Sequence, residues 1–307
     1  MRICVIVQGS IHSHGLDSHS YLDEKYQGVK SKLVTINSKN LVNFYDDLLK
    51  YFDDLVISTW DDEKGFEGYN FLYNKKIPPI KLGKGGVVTN NGNLQSISSL
   101  NGAIYFLEKY GNDCIVVKIR SDIVCNAELL YKAVSRINDE RIYPDHQLGL
   151  CSINDFIIAS KISSFISFFQ SSLTDNSQMI GNAHFDYVNN YLIQKFGHLK
   201  LLRESLNPYI ICKTERVRRN SSLDILVRHY KKTFSSLFSR AEYDSLDMEW
   251  RGKKFSDHPM SKKHYNNQIF SDDMTYIKKC NCKPEYKLLL RYVIFRCKSS
   301  VKKFLLR

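Results

Sequence analysis

Three strand-length segments rich in branched apolar residues, 3–7, 55–59 and 114–119, each run straight into polar groups. A strand that is apolar at nearly every position, not at every second one, is buried on both faces, as in a parallel sheet covered by helices. The intervening sequence has the period of a helix. Leu41, Phe44, Tyr45, Leu48, Leu49 and Phe52 fall on one helical face, and Leu94, Ile97, Leu100, Ile104 and Leu107 on another, closed by Gly111. Strands alternating with helices predict an α/β fold, a Rossmann-like, mainly parallel sheet flanked by helices. Further along, residues 156–159 read as another strand, residues 163–169 and 187–196 as helical, and residues 209–212 as a late strand.

In open α/β sheets ligands bind outside the carboxyl ends of the strands, where loops carry polar groups and the strands stay packed. If the three strands are parallel, Gln8-Gly9-Ser10, Ser58-Thr59-Trp60-Asp61-Asp62 and Arg120-Ser121-Asp122 share one edge. At such an edge Arg120 suits phosphate oxygens, and Asp122 suits a metal ion or a sugar hydroxyl. Lys118 alternates with Arg120 along its strand, so both point to one face, and with the loop of residues 81–84 they are the diphosphate candidates. Each strand end also has a plain alternative. Residues 8–10 and 60–62 are compatible with ordinary turns, and Arg120-Ser121-Asp122 with an internal ion pair in which Asp122 caps the next helix.

The 307 residues carry 44 Lys and Arg against 32 Asp and Glu, a net charge of +12 that favours anionic partners. Eight cysteines are scattered, and Cys280 and Cys282 have no matching second pair for zinc, so they read as reduced thiols. The apolar run at the N-terminus is too short for a signal peptide, and nothing approaches the roughly 20 apolar residues of a membrane span, so a cytoplasmic location is expected. His12, His14 and His19 read as loop residues, and the Gly83-Lys84-Gly85-Gly86 stretch lacks the pattern of an ATP-binding loop. After residue 215 the chain turns polar and basic, which predicts two parts: a domain at residues 1–215 and a basic, partly helical C-terminal extension at 216–307. Its last stretch interleaves Leu288, Tyr292, Val293 and Phe295 with Lys287, Arg291, Arg296 and Lys302, a pattern suited to an anionic membrane surface or to a helix packed on the domain.

Four stretches carry a resemblance. VIVQGSI at residues 5–11, VISTWDDE at 56–63, NLQSISSLNGAIYFLEKY at 93–110 and VVKIRSDI at 116–123 resemble, in that order, the WavE family of lipopolysaccharide and capsule synthesis proteins. The resemblance covers about the first half of the chain. It implies a GT-A-like fold and a glycosyltransferase that moves a sugar from a nucleotide donor to a growing lipopolysaccharide, O-antigen or capsule glycan. Gln8, Gly9, Ser10, Thr59, Trp60, Asp61, Asn93, Lys118, Arg120, Ser121 and Asp122 would bind the donor. By position Arg120-Ser121-Asp122 would be the acidic motif that holds Mn or Mg, with Asp122 as metal ligand. Arg120 stands where the first acid is usual, which leaves it able to neutralise leaving-group charge itself.

Glycosyl transfer develops positive charge on the sugar and negative charge on the departing phosphate, and an inverting enzyme also needs a base for the acceptor hydroxyl. Asp186 is the first candidate base, ahead of Asp155 and His184. The expected partners are a nucleotide-sugar donor, a lipid-linked or glycan acceptor, and the inner face of the bacterial cytoplasmic membrane, with no nucleic acid. Two other readings fit parts of the pattern: a non-catalytic sugar-nucleotide-binding or assembly protein on the same fold, and a basic nucleic-acid-binding protein drawing on the cluster from Arg216 to Lys232.

Overall fold

A computed structural model of the chain describes residues 1–11, 14–16, 33–35, 38–65, 67–76, 80–81, 87–88, 91–145, 147–149, 152–173, 187–188, 190–197, 236–239, 246–250 and 253–254. In chain order the elements are β1 (Arg2–Gln8), β2 (His14–Leu16), β3 (Leu33–Thr35), α1 (Ser38–Tyr51), β4 (Asp54–Trp60), β5 (Asn70–Asn74), β6 (Ile80–Lys81), β7 (Val87–Val88), α2 (Asn91–Tyr110), β8 (Cys114–Arg120), β9 (Ile123–Val124), α3 (Ala127–Val134), β10 (Tyr143–Pro144), β11 (Gln147–Gly149), β12 (Ser152–Ile153), β13 (Ile157–Lys161), α4 (Ile162–Ser172), β14 (Glu249–Trp250) and β15 (Lys253–Lys254). Residues 187–188 and 190–197 are also helical.

The central sheet has six strands in the order β10-β13-β8-β1-β4-β5. β8, β1, β4 and β5 are parallel, in keeping with the apolar sequences of the inner three. β13 runs antiparallel to β8, and β10 antiparallel to β13. The reason lies in the connection. Between β10 and β13, β11 and β12 form their own antiparallel pair, and the described residues there contain no crossover helix of the kind a parallel connection requires. Pro144 sits on the outermost strand, where its missing N–H breaks no ladder.

Alternate residues of the strands feed two cores. Val5, Val7, Ile57, Val117 and Ile119 pack with Phe44, Tyr45 and Leu48 of α1 and Leu130 and Val134 of α3. Cys4, Ile6, Val56, Val116 and Ile158 pack with Ala103 and Phe106 of α2 and with Phe165, Phe168 and Phe169 of α4. Each such fully buried side chain contributes about 1.5–3 kcal/mol. Gly102 is what lets α2 lie close, since a Cβ there would stand 2.7 Å from Ile6 Cγ2. Gly111 ends α2 as expected, with φ +73° and its N–H on the Leu107 carbonyl at 2.8 Å.

α2 runs antiparallel to the strands it covers. The Ser98 carbonyl accepts from Ser58 near the carboxyl end of β4, Gly102 meets Ile6 in mid-sheet, and Lys109 and Tyr110 reach Asp54 at the start of β4. The first turn of α2 therefore lies at the carboxyl edge of the sheet.

Some of the described residues beyond 215 belong to these same cores. Phe238 is buried with α4, and Leu246, Met248 and Trp250 are buried on the α1 and α3 side, where β14 pairs with β9. The expected strand at 209–212 and the basic stretch at the C-terminus lie outside the described residues. Among the described residues, no helix is long and apolar enough to cross a membrane.

Candidate functional site

The order β5-β4-β1-β8 reverses direction between β1 and β8, because the chain winds outward through β4 and β5 and then returns to the other side of β1. In open α/β sheets such a reversal is where ligands bind, outside the carboxyl ends of the strands, here β1 and β8. Gln8 and Arg120, the last residues of the two strands, are register partners. Just beyond them the chains are tied together: the Ser121 N–H donates to the Gln8 carbonyl at 2.9 Å, and Ser121 Oγ to the Ser10 carbonyl at 2.6 Å. Gly9 turns between these contacts with φ +120°, a conformation open to glycine, and its Cα faces Ser121 so closely that a Cβ would lie 3.0 Å from Ser121 Oγ.

The third strand end joins through Glu63. Its carboxylate accepts from Thr59 Oγ1 at 2.8 Å, from the Ile11 N–H at 2.7 Å and from Ser10 Oγ. The expected common edge of residues 8–10, 58–62 and 120–122 is thus present, and Glu63 is a member of it that strand-end reasoning misses. Thr59 and Trp60 are buried, while Asp61 and Asp62 are exposed. Asp62 pairs in solvent with Lys76 at 2.6 Å, the ordinary turn weighed for this segment.

Arg120 is held on three sides. Its Nε donates to Asp122 Oδ1 at 3.0 Å and its Nη2 to Asp122 Oδ2 at 2.7 Å, a two-point fork. Nη1 donates to Asp155 Oδ1 at 3.3 Å, and the guanidinium lies over the Phe156 ring at 4.9 Å. Burial works against the charge of Arg120, but Asp122 and Asp155 outweigh it and hold the guanidinium above its ordinary pKa. The internal ion pair weighed for this segment is therefore real. The cap is not: Asn126 caps α3, its side chain accepting from the Leu129 N–H at 3.0 Å.

Asp122 has a further partner from far along the chain. Trp250 Nε1 donates to Asp122 Oδ2 at 2.9 Å, and its ring packs on Phe156 at 5.3 Å between centroids. Nothing in the Arg120-Ser121-Asp122 segment points to this tryptophan.

Lys118 lies beneath Arg120 on the same face of β8, as alternation predicts, and is fully buried. Its Nζ donates to the Asp155 carbonyl oxygen. Burial pushes the ammonium pKa down to about 8, against the pull of the Asp155 carboxylate, while Arg120 pushes the same way as burial. Lys118 is walled in and meets no ligand from solvent. Its place is structural support for the loop that carries Asp155.

Asp155 is 1% exposed, so an acceptor hydroxyl does not reach it in this arrangement. As placed it orients Arg120. Behind it Asp145 accepts from Asn154 Nδ2 at 2.9 Å and from the Ile157 N–H at 3.3 Å, fixing the turn into β13. Asp186 and His184, the other candidate bases, lie outside the described residues, as do residues 82–86 of the diphosphate loop, His12 and His19. Tyr187, which follows Asp186, donates to Gln95 Oε1 at 2.8 Å and to the Gly92 carbonyl at 3.1 Å in the first turns of α2. Asn93 in that turn is buried, and Gln8 is buried with its Oε1 lacking a hydrogen-bond partner among the described residues.

Among the described residues the donor set at Asp122 does not fit a divalent cation. Both oxygens of Asp122 are engaged by Arg120, one of them also by Trp250, and the place of a second acid is taken by the Arg120 cation. Among the described residues no three His, Cys, Asp or Glu side chains are grouped to hold a metal ion.

Fold and site together define a mixed α/β protein with a cluster of bonded polar side chains at the switch point of its parallel strands. No family model matches the chain, and no curated protein matches it. Among solved structures, a Bacillus anthracis protein assigned as a glucose-1-phosphate thymidylyltransferase, crystallised with a sucrose, matches with a TM-score of 0.32 and 13% identity over 62% of this chain and 83% of that chain. A likeness at that score carries no argument.

Proposed function

We propose that the chain is a glycosyltransferase of the GT-A type, related to the WavE family, that moves a sugar from a nucleotide donor to a lipopolysaccharide, O-antigen or capsule glycan. One observation carries the reading. The four stretches that resemble the family fall on β1, β4, α2 and β8 with their turns, three adjacent strands and the helix that crosses them, and their strand ends and the first turn of α2 lie at the switch-point edge of the sheet.

In this reading the donor diphosphate lies at the carboxyl ends of β1 and β8, near the first turn of α2, whose dipole favours anions. Transfer breaks the bond between the anomeric carbon and the donor phosphate oxygen, and the electron pair leaves with the phosphate. The acceptor hydroxyl oxygen bonds the anomeric carbon and its proton passes to a base, for which Asp186 is the first choice. Arg120 faces the leaving charge, and Asp122 and Asp155 hold it in place.

The test is thermal melting of the purified chain with UDP, GDP, dTDP and CMP sugars, followed by release of nucleotide in the presence of a glycan or lipid-linked acceptor fraction. A ligand that binds the native state raises the melting temperature by mass action. Stabilisation by one donor class, with turnover lost in a folded Asp122→Asn variant, is the expected result. Full turnover in that variant sinks the site, and no stabilisation by any donor sinks the reading.

A further inference from the structure

We infer that this edge of the sheet binds the diphosphate of its nucleotide through Arg120 itself, without a divalent cation. The inference rests on the proposed nucleotide-sugar reading and adds to it what neutralises the phosphate charge. A guanidinium carries five N–H donors. Among the described residues three are engaged, Nε and one on each Nη, which leaves one on each Nη nitrogen. Two N–H groups on one planar fork match two oxygens of a phosphate.

Access favours the cation over its partners. The Arg120 side chain is 20% exposed, against 9% for Asp122 and 2% for Asp155, so the guanidinium is what an incoming anion meets first. The two carboxylates, the Phe156 ring and the Trp250 indole fix its plane beforehand, which removes much of the ordering cost that a free arginine carries into binding. A metal ion would have to displace Arg120 from Asp122 to gain a ligand, breaking a two-point charged contact in a largely buried place. The same edge holds the first turn of α2, a second source of positive potential that requires no metal.

The experiment is titration calorimetry of the full chain with UDP, GDP and dTDP as probes, each in EDTA and in manganese, with inorganic pyrophosphate as a further arm. The expected result is binding of one nucleotide with Kd unchanged within about twofold between EDTA and manganese. Arg120→Lys, which keeps the charge and loses the fork, raises that Kd about tenfold. Weaker binding of pyrophosphate than of the nucleotide, with the same indifference to manganese, assigns the contact to the diphosphate and the rest of the affinity to the nucleoside.

A second variant reads the metal directly. Arg120→Asp creates an Asp-x-Asp strand end, so manganese alone raises its melting temperature while leaving that of the unaltered protein where it was. Nucleotide binding that appears only with manganese overturns the inference and leaves the nucleotide reading standing. Manganese alone stabilising the unaltered protein also overturns it. Absence of nucleotide binding under every condition overturns both.

Discussion

Trp250 Nε1 donates to Asp122 Oδ2 at 2.9 Å across 128 positions of chain. Through this bond the short ladder of β14 on β9 closes over the end of β8. Trp250→Phe keeps an aromatic ring against Phe156 and removes the donor with a small part of the buried volume, while Asp122 Oδ2 still accepts from Arg120. The expected loss of stability is about 1 kcal/mol. Trp250→Ala also opens a cavity and costs about 3–5 kcal/mol. Urea denaturation of the two variants separates these effects, and a Trp250→Phe variant as stable as the unaltered protein would show that the indole N–H contributes nothing.

Gly9 is expected to tolerate no side chain, for two independent reasons. Its φ of +120° strains any L-residue, and a Cβ would stand 3.0 Å from Ser121 Oγ. Gly9→Ala should cost about 1–3 kcal/mol from backbone strain alone. Ser121→Ala in the same chain relieves the contact and leaves the strain, so the two changes together cost less than their sum by about 0.5–1 kcal/mol. A double-mutant cycle by chemical denaturation measures this, and strict additivity would mean the contact is not felt.

The strands β1, β4 and β8 are legible because burial on both faces makes long stretches of them apolar at successive positions, and α2 because its period and its Gly111 stop agree. Their shared edge follows from parallel order alone. The antiparallel direction of β13 is not legible, since an apolar run such as residues 157–159 serves either direction and only the connection decides. Trp250 is hidden for another reason. A two-residue strand has no period of its own, yet Leu246, Met248 and Trp250 alternate as a half-buried segment should, and all three are buried. That alternation, inside a polar and basic stretch, is the signal that the chain returns to the sheet after residue 215. The bond from Arg120 to Asp155 depends on the turn of residues 145–156, whose shape no local pattern gives.

Glu63 fastens the loop after β1 to the end of β4 through Ser10, Ile11 and Thr59. Glu63→Gln keeps the shape but loses the charge and turns one acceptor oxygen into a donor group. The Ile11 amide should then exchange with solvent about tenfold faster, as befits the loss of one charge-assisted hydrogen bond. Amides of Val5 and Val117 in the strand interiors should be unchanged. Hydrogen exchange followed by NMR or mass spectrometry gives the comparison, and uniform acceleration everywhere would mean that Glu63 supports the whole fold and not this loop.

Lys118 makes stability depend on pH in a direction opposite to that of the buried thiols and phenols. Its ammonium has a pKa of about 8 in the folded protein against 10.5 when unfolded, chiefly from burial. Between those values the unfolded chain binds a proton that the native one has released, so this group makes the protein more stable as pH rises from about 8 to about 10.5. Cys125, pushed up to about 12 by burial, and Tyr45, also raised by burial, act the other way, because the unfolded chain ionises first. The net curve of the protein therefore hides the lysine, and comparison with Lys118→Met exposes it. Unfolding free energies of both proteins, measured from pH about 7 to about 9.5, should differ by an amount that is flat below pH about 8 and then grows in favour of the unaltered protein, by about 2 kcal/mol at the upper end. Curves that stay parallel throughout would mean that Lys118 titrates in the fold as it does in water, and that its ammonium is not enclosed beneath Arg120.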